Sequence, residues 1–129
     1  MKPLYIEPTD DTPKVNLDAD AGVFEFVGNS YPENSSKFYT PVLDWLKEFI
    51  KSGTKKDVVA SFNFDYFNTS SAKYILEILR LIEEYSKAGN TSLIKWFYFE
   101  EDTDMLEAGE DYQRTIQVKF ELIQRQDTF

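Results

Sequence analysis

Between Asp57 and Tyr85 the hydrophobic pattern changes period once, sharply. Val58, Ala60, Phe62, Phe64 and Tyr66 alternate with Val59, Ser61, Asn63, Asp65 and Phe67, the period of two that marks a strand with one apolar face. Beyond Asn68-Thr69-Ser70-Ser71 the apolar positions fall at Ala72, Ile75, Leu76, Leu79 and Ile82, with Lys73, Glu77, Arg80, Glu84 and Lys87 on the opposite side. That spacing predicts an amphipathic helix. The run joining the two consists of good N-cap residues, so Thr69, Ser70 or Ser71 is expected at a helix N-terminus. Unpaired N–H groups and the helix dipole favour negative charge there, and an esterified phosphate would be stabilised.

The other elements follow by the same reading. Leu4 to Ile6 is a short strand ended by Pro8 and a turn at Thr9-Asp10-Asp11. Thr12 to Asp18 is extended, with Pro13 biasing its predecessor away from helix. A turn at Asp20-Ala21-Gly22 leads to a strand over Val23 to Val27, which together suggest an antiparallel hairpin. Gly28 to Ser35 reads as a loop. Asn34 or Ser35 caps a helix with Phe38, Val42, Trp45, Leu46 and Phe49 as its buried stripe, and Pro41 requires either a later start or a kink. After the central strand and helix, Leu93 to Phe99 is nearly apolar on both faces, as expected of a strand covered on both sides. Glu100 to Asp111 predicts a short acidic helix, Thr115 to Ile123 a final strand, and Gln124 to Phe129 a frayed tail. Successive strand–helix–strand units imply parallel pairing with right-handed crossovers. The fold class is α/β, one domain over residues 1–129, a mixed sheet with an N-terminal antiparallel hairpin followed by βαβαβ units.

Composition narrows the chemistry. The 129 residues carry a formal net charge of -9, which argues against nucleic acid and anionic membrane surfaces as main partners. With no Cys and no His, disulfides, thiol catalysis, imidazole bases and most zinc sites drop out. No catalytic residue, cofactor or metal is expected. No segment resembles a signal peptide or is long enough to span a bilayer, so the cytoplasm is the expected location. The acidic run Glu100, Glu101, Asp102, Asp104, Glu107, Glu110 and Asp111 lacks the spacing of an EF-hand loop and reads as a solvated helix face. Asp65 with Asn63 offers one strand carboxylate with no nucleophile nearby, a poor basis for acid/base chemistry.

Several motifs together carry a resemblance. They are Ser30-Tyr31-Pro32-Glu33-Asn34 before the first helix, Asp44-Trp45 within it, Asn68-Thr69-Ser70-Ser71 before the second, an early Thr12-Pro13, and Trp96 in a later strand. In this combination the chain resembles the SiaC-type regulatory phosphoproteins of bacteria, a family similar in architecture to anti-sigma-factor antagonists with STAS-like domains. The resemblance implies partner switching without enzymatic activity. A threonine in the Asn-Thr-Ser-Ser turn, here Thr69, is phosphorylated by a dedicated kinase and dephosphorylated by a PP2C-like phosphatase. The unphosphorylated form binds and activates a diguanylate cyclase, raising cyclic di-GMP and promoting biofilm formation.

From the pattern alone, Thr69-Ser70-Ser71 is an ordinary capping run, while Ser30 to Asn34 reads equally as a helix-capping loop or as a recognition surface. With the resemblance, Tyr31, Pro32, Glu33, Asn34, Asn68, Thr69, Ser70 and Ser71 become the expected partner-binding residues, since tyrosine among polar groups is a favoured contact. An anti-sigma-factor antagonist with another client shares this logic. A small ligand-binding domain using the cleft at the strand ends is the reading from a different class.

Overall fold

The computed structural model describes residues 1–126. In chain order the elements are β1 (Leu4–Ile6), β2 (Lys14–Asp18), β3 (Val23–Ser30), α1 (Ser35–Lys51), β4 (Val58–Phe67), α2 (Thr69–Lys87), β5 (Ser92–Phe99), α3 (Thr103–Thr115) and β6 (Lys119–Arg125). The strands form one six-stranded sheet in the order β1-β2-β3-β4-β5-β6. β1–β2 and β2–β3 pair antiparallel, and β3 through β6 pair parallel. This is the mixed α/β arrangement that the strand–helix–strand pattern predicts.

Register aligns the apolar alternation of every strand. One row crosses the sheet as Leu4, Leu17, Phe24, Ala60, Ile94 and Phe120. The next runs Ile6, Val15, Phe26, Phe62, Trp96 and Leu122. Each parallel step moves in the same direction, so right-handed crossovers carry α1, α2 and α3 to one face. There Val42, Leu46, Phe49, Ile75, Ile78, Leu79 and Ile82 close over the two rows. Phe62 lies 4.9 Å from Phe26 and 5.9 Å from Trp96, stacked on both.

Among the described residues the opposite face has no helix, which corrects the expectation for β5. Ile94 and Trp96 are buried, but Leu93, Lys95 and Phe97 on the other face are only half-buried. An apolar run tells how many apolar residues a strand holds, not how many layers lie on it. The open face is instead knitted by polar rows such as Asn16 and Glu25, whose side chains bond at 3.0 Å.

Several boundaries and stripes also move. β3 extends through Gly28, Asn29 and Ser30, which the turn-rich composition assigns to a loop. α1 begins at Ser35 and passes through Pro41, excluding the later start. Pro41 and Lys37 are both exposed, so solvent can serve the Lys37 carbonyl that proline deprives of its N–H. The buried stripe of α1 includes Tyr39 and Leu43, while Phe38 and Trp45 are half-buried. Along α2, Ala72 and Leu76 are half-buried, and Ile78 and Tyr85 join Ile75, Leu79 and Ile82 inside. α3 runs later than expected, with Asp102 as its cap, and consumes Thr115. β6 reaches Arg125, which lies opposite Phe99 in the ladder with β5; its side chain pairs with Asp65 at 2.9 Å and lies 3.9 Å from the Phe99 ring. Of the expected tail, residues 127–129 fall outside the described residues.

Two tight contacts hold the corners. Gly22 has φ +68°, and a Cβ there would stand 2.1 Å from the Asp57 carbonyl oxygen, so only glycine fits where this turn meets the start of β4. Glu83, on α2 and 7% exposed, accepts the Gln117 N–H at 2.6 Å and is held by Arg80 at 3.2 Å. The Gln117 hydrogen bond is the main reason its pKa falls below the ordinary 4.5, with Arg80 and Lys87 assisting against the cost of burial. A depressed folded-state pKa stabilises above the unfolded value and loses that stability as pH falls through the folded one. Glu83→Gln is therefore expected to cost about 1–3 kcal/mol at neutral pH, a deficit that shrinks as the pH drops below 4.5. Urea midpoints measured across that range check it.

Candidate phosphorylation and partner-binding site

The C-terminal ends of β3 and β4 deliver both motif segments to one corner of the sheet, the edge at which open α/β sheets present their loops. The Asn68 N–H donates to the Ser30 carbonyl at 3.0 Å, tying the start of α2 to the end of β3. Asn34 caps α1 by accepting the Lys37 N–H at 3.0 Å. Asn68 caps α2 by accepting the Ser71 N–H at 2.9 Å. The asparagine, rather than any of the hydroxyl residues after it, is thus the N-cap, and Thr69 is the first residue of the helix.

Thr69 is exposed, and among the described residues its hydroxyl has no hydrogen-bond partner. Its own N–H and that of Ser70 belong to the first turn, where the helix offers no acceptor. A phosphate on this oxygen would face those donors and the positive end of the α2 dipole. Ser70 is also exposed, but its hydroxyl is engaged with Ser35 Oγ at 2.7 Å and Asn68 Oδ1 at 3.1 Å. Ser71 is fully buried, its hydroxyl donating to the Ser30 carbonyl at 3.0 Å.

Across the turn, Tyr31, Glu33 and Asn34 are exposed, while Pro32 is buried. The Tyr31 N–H donates to the Asp11 carbonyl at 2.8 Å, which braces the loop against the β1–β2 connection. Of the expected partner-binding residues, then, Tyr31, Glu33, Asn34, Thr69 and Ser70 present surface, Asn68 is half-buried, and Pro32 and Ser71 lie beneath them.

The structure adds a residue that alternation places elsewhere. Gly28 pairs with Phe64 and Asn29 with Tyr66, so Asp65 has no opposite number on β3. One extra residue inverts the facing of everything after it. Tyr66, expected on the buried face, is 54% exposed, and Phe67 turns inward, 6.0 Å from Trp96. Tyr66 then meets Tyr31 edge-on at 5.9 Å, giving two exposed aromatic rings beside Thr69. No periodicity marks this position, because the bulge is a property of pairing with β3.

A cleft of about 300 Å³ next to this corner is lined by Asp65, Tyr66, Phe67, Asp102, Asp104, Met105 and Ala108. Two of its carboxylates already have partners: Asp65 pairs with Arg125, and Asp102 caps α3 by accepting the Met105 N–H at 3.0 Å. Among the described residues the lining has no basic group to hold a phosphate-bearing metabolite. Of the rest of the acidic run, Glu100 and Glu101 are exposed in the turn before α3, Asp104, Glu107 and Asp111 are exposed on the helix, and Glu110 is half-buried.

The model for a SiaC family regulatory phosphoprotein matches residues 6–125. The chain belongs to the SiaC family. A protein of Pseudomonas aeruginosa strain UCBPP-PA14 is 32% identical over 120 residues, which cover 93% of this chain and 94% of the relative. Crystalline apo-SiaC from Pseudomonas aeruginosa superposes with a TM-score of 0.86 at 30% identity, over 95% of this chain and 99% of that one. A chain in the crystal structure of the Pseudomonas aeruginosa diguanylate cyclase SiaD in complex with its activator SiaC superposes with a TM-score of 0.88, also at 30% identity and with coverage of 95% and 99%. The SiaC fold is thus shared over almost the full length. Among the described residues, no helix is long and apolar enough to cross a membrane.

Proposed function

We propose that this SiaC-family chain is a non-enzymatic partner switch of the cytoplasm, a single regulatory unit over residues 1–129. Its unphosphorylated form binds and activates a diguanylate cyclase. A kinase places a phosphate on Thr69, and a PP2C-like phosphatase removes it. The observation that carries this reading is the exposed, unbonded Thr69 hydroxyl at the first position of α2, beside the exposed Tyr31–Tyr66 pair. The complex that the Pseudomonas aeruginosa relative forms with its cyclase supports the choice of client.

Tyr31, Glu33, Asn34, Tyr66, Thr69 and Ser70 form the contact surface in this reading, with Pro32, Asn68 and Ser71 setting its shape. Phosphorylation adds a charge of about -1.5 to -2 at neutral pH to a surface the client must cover. The test is direct: the unphosphorylated chain is mixed with a purified diguanylate cyclase from the same cells, and cyclic di-GMP formation is followed. Stimulation that saturates with added chain is expected. An unchanged rate with a cyclase that is itself active would refute the choice of client. Tyr66→Ala is expected to weaken the complex by on the order of tenfold or more, as for an exposed aromatic anchor, as measured by calorimetric titration.

A further inference from the structure

Beneath Thr69 lies a buried chain of hydroxyls whose direction can be worked out. Tyr39 Oη is 2.5 Å from Ser30 Oγ, Ser30 Oγ is 2.8 Å from Ser71 Oγ, and Ser71 Oγ is 3.0 Å from the Ser30 carbonyl. All three residues are 0% exposed. A hydroxyl has one proton to give. The Ser71 proton goes to the carbonyl, so the Ser30 proton goes to Ser71, and Tyr39 must donate to Ser30. Burial pushes the Tyr39 phenol up to about 12, so it keeps that proton at any physiological pH. A second hydroxyl pair, Ser35 with Ser70 at 2.7 Å, bridges the same two segments nearer the surface.

These contacts join three elements: Tyr39 and Ser35 belong to α1, Ser30 ends β3, and Ser70 and Ser71 open α2. A packing role alone would need only the Tyr39 ring, which stacks on Tyr74 of α2 at 5.5 Å with an interplanar angle of 7°. The hydroxyl adds nothing to that stack. It completes a line of donors ending at the carbonyl that also receives the Asn68 N–H.

We propose that Tyr39, through Ser30 and Ser71, is a positioning residue that locks the Thr69 turn to the Tyr31–Asn34 loop, so that both partner-facing segments move as one body. Ser35 with Ser70 is the outer half of the same lock. The inference rests on the reading of these segments as the client surface, but the lock itself can be tested without client or phosphate. Tyr39→Phe keeps the buried ring and removes only the first donor. Ser35→Ala cuts the outer bridge.

The measurement is amide hydrogen exchange on the full chain. With Tyr39→Phe, exchange at Asn68 and Ser71, the two amides that fix the turn, is expected to accelerate on the order of tenfold, the weight of one net hydrogen bond. Exchange at Ile94 and Trp96 in β5 should stay unchanged. Ser35→Ala should produce a smaller acceleration at the same two sites. Unchanged exchange at Asn68 and Ser71 in both variants overturns the lock. So does an equal acceleration at Asn68, Ser71, Ile94 and Trp96, since that is the signature of a hydroxyl serving only general stability. A titration of Tyr39→Phe against the cyclase then separates the two layers of the argument. Weakened binding with a loosened turn supports both, whereas a loosened turn with full affinity upholds the lock and refutes the client surface.

Discussion

Phosphorylation of Thr69 is expected to lower affinity for the client on the order of 100-fold, since a charge buried at an interface without a partner costs several kcal/mol. It should do so without lowering the melting temperature of the chain. Both halves come from one placement. Thr69 is the first residue of α2 rather than its cap, so its oxygen serves no hydrogen bond that folding needs. The first-turn amides and the helix dipole favour the anion that the client must exclude. For the same reason Thr69→Ala should fold within about 0.5 kcal/mol of the parent and bind the client with parental affinity, with no response to kinase. Stoichiometric phosphorylation in vitro, followed by calorimetric titration and a thermal melt, measures the two quantities side by side. Equal affinity of the phosphorylated and unphosphorylated chains would remove the switch from this residue. A melting temperature that falls sharply on phosphorylation would mean that the phosphate acts by unfolding the turn rather than by blocking a surface.

Trp96→Ala is expected to be the most damaging single substitution for stability, at about 3–5 kcal/mol. A chain of this kind holds only about 5–15 kcal/mol in total. Trp96 is 0% exposed and meets Phe62, Phe64, Phe67 and Tyr112 at ring separations between 5.3 and 6.2 Å. Its Nε1 donates to the Met105 carbonyl at 3.0 Å, so truncation both opens a cavity and removes a hydrogen bond that ties β5 to the first turn of α3. Gly109 shows how closely α3 rests on the indole, since a Cβ there would stand 2.4 Å from Trp96 Cδ1. Urea unfolding, with Trp45 left as the fluorescent reporter, gives the number. A loss under about 1 kcal/mol would mean that the site collapses around the missing ring.

How much of this was legible beforehand depends on the range of the interaction concerned. The strand at Val58, the helix after Ser71 and the α/β class follow from periodicity, because a period of two or of 3.6 is set by local backbone geometry. The turn at Asn68-Thr69-Ser70-Ser71 is legible for the same reason: side chains that cap a helix bond to amides two or three residues away. Which of them is the cap is a finer matter that residue preferences leave open, and the structure assigns it to Asn68. Periodicity does not single out Tyr39, because it lies beside Phe38 in an aromatic-rich helix, where a stripe drawn through one serves as well as through the other.

Local chemistry in the chain therefore determined the elements, the order in which they follow, and the exposed threonine turn between the central strand and helix. The tertiary structure alone decided that Asp65 bulges and turns Tyr66 outward, that β5 is covered on one face rather than two, and that Ser30, Tyr39 and Ser71 meet. Each of these depends on partners distant in sequence: β3 opposite β4, the direction of successive crossovers, and a hydroxyl on α1 reaching the end of β3. Pairing register and layer order arise only when separate segments are brought together, and no count of apolar residues along one segment contains them.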